Sequence, residues 1–161
     1  MWEAIGTVGA TTLALIAIFG KWIKDWLQRP RFDFHIHTPG YPNPPFKGFY
    51  FDIHNKGRTT ALNVKVNLYR IQFKDASTEI NEDLKEMRSL RWRDVERYEI
   101  FKPHYSDPSK IAYDAVGAGF FDRQDCEIEL LITGDNFKGF SKKLKFTNAN
   151  KIEDTNMIII Q

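Results

Sequence analysis

Asp33, His35, His37, Asp52 and His54 are the residue types that bind metals or move protons, and they cluster in the first third of the chain. Asp33, His35 and His37 alternate along residues 31–38, so in an extended strand they share one face, while Phe32, Phe34 and Ile36 share the other. Asp52 and His54 share a face of the next alternating segment, residues 49–54. Antiparallel pairing of the two segments would bring imidazoles and a carboxylate together, a donor mix suited to zinc. No defined zinc-site spacing is present, and a solvated sheet face carries polar residues for no further reason. The expectation is a polar face with no metal and no cofactor. A metal-dependent enzyme built on Asp33, His35, His37 and His54 is the remoter alternative.

Two basic groups are the next candidates. Arg88, Arg91, Arg93 and Arg97 surround Trp92, and Lys138, Lys142, Lys143 and Lys145 flank Phe140. Arginine beside an aromatic ring can hold a phosphate or stack on a base, so Arg88, Arg91, Trp92, Arg93 and Arg97 form a candidate ligand site. Both groups are also what a solvated surface looks like, since Glu86, Asp94 and Glu96 interleave the first and the second alternates along a strand. A juxtamembrane surface touching anionic lipid is the intermediate reading. The chain has no Walker A loop, no His-Glu-x-x-His, no Gly-x-Ser-x-Gly and no cysteine pair. Gly117-Ala118-Gly119 lacks the third glycine of a dinucleotide loop and reads as a strand-end bend. Catalysis is therefore not expected.

The elements that must position these residues are strands. After the turn residues Asn55-Lys56-Gly57-Arg58, the residues Leu62, Val64, Val66 and Leu68 alternate with Asn63, Lys65 and Asn67. Further strands are expected over 97–101, 110–116, 126–133, 141–146 and 156–160. Cys126, Ile128, Leu130 and Ile132 alternate, which makes Cys126 a core thiol. Residues 80–89, polar with Leu84 and Met87 three apart, predict one short surface helix. Many short strands separated by turn residues point to an antiparallel sandwich.

The stretch Asn55-x-Gly57-x-x-x-Ala61-x-Asn63-Val64-x-Val66-x-Leu68 resembles the turn and strand signature of bacterial Ig-like sandwich modules of the CARDB type. That resemblance implies a turn shaped by the Asn and Gly, an alanine tucked beneath it, and aliphatics entering the core. It carries no catalytic residues across. The whole layout also resembles one-helix bacterial membrane proteins and, by arrangement alone, small effectors of bacterial anti-phage systems.

The one helix of that layout is read from the first thirty residues. Residues 4–20 carry no charge, and Trp2 and Trp22 bracket them. Twenty helical residues span ~30 Å, one hydrocarbon core, and indole rings favour the headgroup level. The start of the chain lacks the positive n-region and small-x-small site of a cleaved signal, so an uncleaved anchor is expected. Lys21, Lys24, Arg29 and Arg31 follow the span, which predicts an outward N-terminus and a cytoplasmic domain at the inner membrane. Trp22 and Trp26, with Lys21 and Lys24, mark an interfacial extension ended by Pro30. Gly6, Ala10, Ala14 and Ala17 line one helix face with small residues, bordered by Thr7 and Thr11, a pattern through which spans self-associate. Small residues are also common in spans without such a role.

The single cysteine permits no intrachain disulfide, consistent with a reducing compartment. Setting the anchor aside, residues 31–161 carry 20 basic and 19 acidic side chains, a balance that gives no general reason to bind nucleic acid. The expectation is an antiparallel Ig-like β-sandwich over 31–161, mainly β, preceded by one N-terminal transmembrane helix and its extension over 1–30. Such a protein acts as a recognition or sensor module. Its partners would be the bilayer, further copies of itself and a protein or nucleotide ligand. A ligand-triggered, membrane-disrupting effector is the alternative from another class.

Overall fold

A computed structural model describes residues 17–24, 29–38, 48–107, 110–115, 119–121, 125–147 and 155–160. Residues 17–24 are helical and exposed. Among the described residues eleven strands follow: β1 (Phe32–His37), β2 (Phe49–Asn55), β3 (Ala61–Phe73), β4 (Ser77–Asp83), β5 (Arg88–Leu90), β6 (Val95–Asp107), β7 (Lys110–Ala115), β8 (Gly119–Phe121), β9 (Cys126–Thr133), β10 (Phe140–Thr147) and β11 (Asn156–Ile159). They pair antiparallel in two sheets, ordered β1-β2-β6-β7-β8 and β11-β10-β9-β3-β4, with β5 joined to β3.

The two sheets share one core, into which strands of both send apolar side chains. Phe49, Phe51, Ile53, Tyr98, Ile100 and Phe101 come from the first sheet. Val64, Val66, Leu68, Ile128, Leu130, Ile132, Leu144 and Phe146 come from the second. Rings interlock across the gap: Phe101 meets Phe146 edge-on at 4.8 Å, Phe49 meets Phe146 at 5.5 Å, and Phe34 meets Phe140 at 5.8 Å. Edge-to-face geometry of this kind adds to simple burial. Cys126 lies in this core as its alternation requires.

Two expectations are corrected by local backbone geometry. Leu62 is exposed, not in the core. Ala61 faces Leu90 and Val64 faces Arg88, so β3 carries one extra residue there, and Asn63 with φ of 50° supplies the bulge. Ala61 takes the buried place instead. Farther along β3, Leu68 faces Leu130 while Arg70 faces Glu129, so the buried rhythm steps from Leu68 to Ile71.

Residues 80–89 form no helix. They lie in β4, a turn and β5, and the Leu84 N–H donates to the Val66 carbonyl at 2.9 Å. Asn81, at φ of 56°, sits in a β4 bulge that breaks the period of two and leaves a spacing that imitates a helix. Ile80 and Leu84 pack against the core, whereas Met87 is exposed. Gly119 opens the short strand β8, and Gly117 and Ala118 lie outside the described residues.

Among the described residues no helix is long and apolar enough to cross a membrane. Most of the expected span, with Trp2, Gly6, Ala10 and Ala14, lies outside the described residues, as does Trp26. Ala17, Lys21, Trp22 and Lys24 lie on the helix at 17–24.

Candidate functional site

The outer face of the first sheet gathers the expected polar residues. Register sets Asp33 opposite His54, His35 opposite Asp52, and His37 opposite Tyr50. On the other side of β2, Asp52 faces Arg97 and Tyr50 faces Glu99. The His35 and His54 rings meet edge-on at 4.9 Å, and His35 Nε2 lies 3.2 Å from Asp33 Oδ2.

Two carboxylates of this face, Asp52 and Asp33, hold cations, and a third, Glu99, accepts from the Tyr50 hydroxyl at 3.1 Å. Arg97 donates through Nε and Nη2 to the two oxygens of Asp52 at 2.7 and 2.8 Å, a bidentate grip. Asp52 is buried, and its carboxylate raises the Arg97 pKa above its ordinary value. Lys56 Nζ stands 2.5 Å from Asp33 Oδ2. That hydrogen bond holds the Asp33 carboxyl below its usual range, and the weaker opposing effect is burial. Among the described residues no three His, Cys, Asp or Glu side chains are arranged to hold a metal ion. The face is a hydrogen-bonded polar lattice in which Asp52 and Asp33 are paired with cations on β6 and the β2–β3 turn.

A second assembly forms at the end of the sandwich where β2 turns into β3. Asn55 is its hub and is fully buried. Its Nδ2 donates to the carbonyls of Thr59 and Leu90, each at 2.8 Å, and its Oδ1 accepts from the Gly57 N–H at 3.0 Å. Its backbone N–H donates to the Asp94 carbonyl, and its own carbonyl accepts from the Arg93 N–H. One side chain therefore ties the β2–β3 turn to the β5–β6 turn, as burial of an amide requires. The β9–β10 loop joins the same end: Asn136 donates to the Thr60 carbonyl at 2.8 Å and accepts from the Leu62 N–H at 2.9 Å.

The segment that follows the helix is fastened here too. The N–H groups of Lys56 and Gly57 both donate to the Arg31 carbonyl, at 2.7 and 3.2 Å. A Cβ on Gly57 would overlap the Arg31 nitrogen and stand 2.8 Å from the Arg29 carbonyl oxygen, so only glycine admits this close approach. Arg31, Lys56, Gly57 and Arg58 line a recess of about 310 Å³.

The β5–β6 turn carries the arginine–tryptophan motif. The Asp94 N–H donates to the Arg91 carbonyl at 3.1 Å, and the Asp94 carboxylate accepts from the Arg91 N–H at 2.8 Å. Arg93, at φ of 68°, takes the left-handed third position of a type II turn, where glycine or asparagine is usual. Its guanidinium lies 4.2 Å over the Trp92 ring, which remains 52 % exposed.

The basic groups seen in sequence are therefore divided differently in space. Arg91, Trp92 and Arg93 share the turn, and Arg88 stands exposed on β5 opposite Val64. Arg97 belongs to the outer sheet face with Asp52. Lys142 Nζ lies 5.0 Å from the Phe34 ring centroid and Lys138 lies in the β9–β10 loop, while Lys143 and Lys145 alternate with Lys142 along β10. Sequence reasoning overlooked Arg58 and the union of Arg31 and Lys56 with the arginine–tryptophan turn. No sequence signal marks that union: the Asn55 bond to the Gly57 N–H is local, and the Leu90 carbonyl that Asn55 also reaches lies 35 residues away. Burial pushes the Cys126 thiol up to about 12, which leaves it a packed core group and not a nucleophile. No known protein family, curated protein or solved structure compared with this chain matches it.

Proposed function

We propose that this protein is a membrane-tethered recognition module: residues 1–30 anchor it, the span self-associates, and an Ig-like sandwich is held at the cytoplasmic face. The observation that carries the reading is the fastening of Arg31 to the Asn55–Gly57 turn. A chain that merely trailed from the domain would need no glycine-tight seat for its stem. A stem bonded to the domain fixes the orientation of what precedes it relative to the strands.

The strand order supports the Ig-like comparison. β1, β2 and β6 correspond to A, B and E of such a sandwich, and β10, β9 and β3 to G, F and C. The hairpin β7–β8 stands where strand D would be but follows β6 in sequence, and β11 extends the other sheet. A non-catalytic role is supported by the outer sheet face, where Lys56 and Arg97 hold Asp33 and Asp52, the two acids that lie among its histidines. Binding is the chemistry left to such a surface.

A reporter active only in the cytoplasm, fused after Gln161, tests the arrangement. The reading requires activity there and none from a periplasm-specific reporter at the same site. The reverse pattern overturns it.

A further inference from the structure

We propose that the loop end of the sandwich, tipped by Trp92 and lined by Arg31, Arg58, Arg91 and Arg93, docks on anionic lipid headgroups of the membrane that anchors the chain. The inference rests on the anchored reading above and adds a second, electrostatic contact to it.

Three observations converge on this end. The first is charge. Arg31, Arg58, Arg91 and Arg93 are exposed there, and Lys138 lies in the adjoining β9–β10 loop. The acids of the same end are engaged: Asp33 with Lys56, Asp94 with the Arg91 N–H, and Asp135 with Asn63. The second is the exposed indole of Trp92 beneath the Arg93 guanidinium, a pair matched to the headgroup level, where an aromatic ring is half solvated and a cation meets phosphate. Arg93 holds this pose at a positive φ that a non-glycine residue adopts only against strain. The third is position. Arg31 follows Lys24, the end of the described helix, by only seven residues and is bonded to the Lys56 and Gly57 amides. The basic loops are therefore the part of the domain bound to the stem.

Charge complementarity selects the partner. The recess of Arg31, Lys56 and Arg58 is open and basic, and neighbouring cations spread over three loops match a plane of headgroups. Each basic side chain near an anionic leaflet contributes, and the contribution falls within a Debye length, so only the end beside the stem benefits.

The test uses the full chain reconstituted into vesicles of neutral phosphatidylcholine, or of the same lipid with phosphatidylserine. An environment-sensitive dye is placed through L62C at the loop end or through K74C beyond the far end of β3. Ala61 and Phe73 bound that strand, so the two positions stand roughly 40 Å apart at ~3.3 Å per residue. Headgroup-quencher lipid should quench the dye at residue 62 about threefold more than at residue 74 in anionic vesicles, and 1 M salt should reduce the difference. The paired change Arg58→Glu and Arg91→Glu, and separately Trp92→Ala, should lower the quenching while the circular dichroism spectrum is unchanged. Equal quenching at both positions in anionic vesicles overturns the inference. Flotation separates this result from a failure of the anchor. A chain that floats with both vesicle types yet shows equal quenching keeps its anchor and loses the docking surface. One that floats only with anionic vesicles, and is released by salt, keeps the docking surface and loses the anchor. One that floats with neither overturns both.

Discussion

Gly57 seats the backbone of Arg31 so closely that one added methyl group would overlap the Arg31 nitrogen. Two N–H groups, from Lys56 and Gly57, converge on the Arg31 carbonyl at the same point. This contact makes the stem part of the fold.

Replacing Gly57 with alanine should therefore lower stability by about 1–3 kcal/mol, because backbone atoms on both sides must move apart. Urea unfolding followed by circular dichroism reads this as a lower midpoint with an unchanged slope. Limited proteolysis should at the same time cut faster near Arg29 and Arg31. An unchanged midpoint and cleavage rate would mean that the stem is not seated on the turn.

The Asp52–Arg97 pair should couple. Arg97→Met leaves a buried carboxylate without its bidentate partner, and Asp52→Asn removes the charge that Arg97 answers. A double-mutant cycle is expected to give an interaction of about 1–2 kcal/mol, limited by the partial exposure of Arg97. Additive effects would place the pair among surface ion pairs that contribute nothing.

The core acids give a pH signature at the alkaline end. Burial raises Cys126 and Tyr98 to about 12 each, from ordinary values of 9.0 and 10.0. The unfolded chain thus loses these protons first as pH rises. Stability contributed by the two groups is complete below pH 9.0 and falls progressively toward pH 12. Denaturation midpoints measured between those limits should decline. Ellman's reagent at pH 8 should label Cys126 slowly in the folded chain and rapidly in urea. Rapid labelling of the folded chain would contradict the core placement.

What the sequence made legible was whatever kept an unbroken period of two. The polar face of Asp33, His35 and His37 follows from alternation alone, as does the buried run from Cys126 to Ile132. The placement of Leu62 and the identity of residues 80–89 were not legible, because single extra residues at Asn63 and Asn81 reset the period. Nothing in composition marks which asparagine takes a left-handed conformation. The partnership of Asp52 with Arg97 depends on register between β2 and β6, which are distant in sequence. The basic loop end was harder still. Arg31, Arg58 and Arg93 share one end of the sandwich because Lys56 and Gly57 bond to Arg31 while Asn55 bonds to Leu90, Arg93 and Asp94, a non-local arrangement that leaves each arginine looking like an ordinary surface charge.

The central claim is that the chain is anchored through its first thirty residues, and alkaline carbonate extraction tests it most directly. Membranes from cells producing the full chain are stripped at high pH, which releases proteins held by charge and retains those embedded in the hydrocarbon core. The account predicts that the full chain stays in the membrane pellet, and that replacing Ala10, Leu13 and Ile16 with aspartate moves it to the supernatant. Release of the unaltered full chain into the supernatant would contradict the anchor.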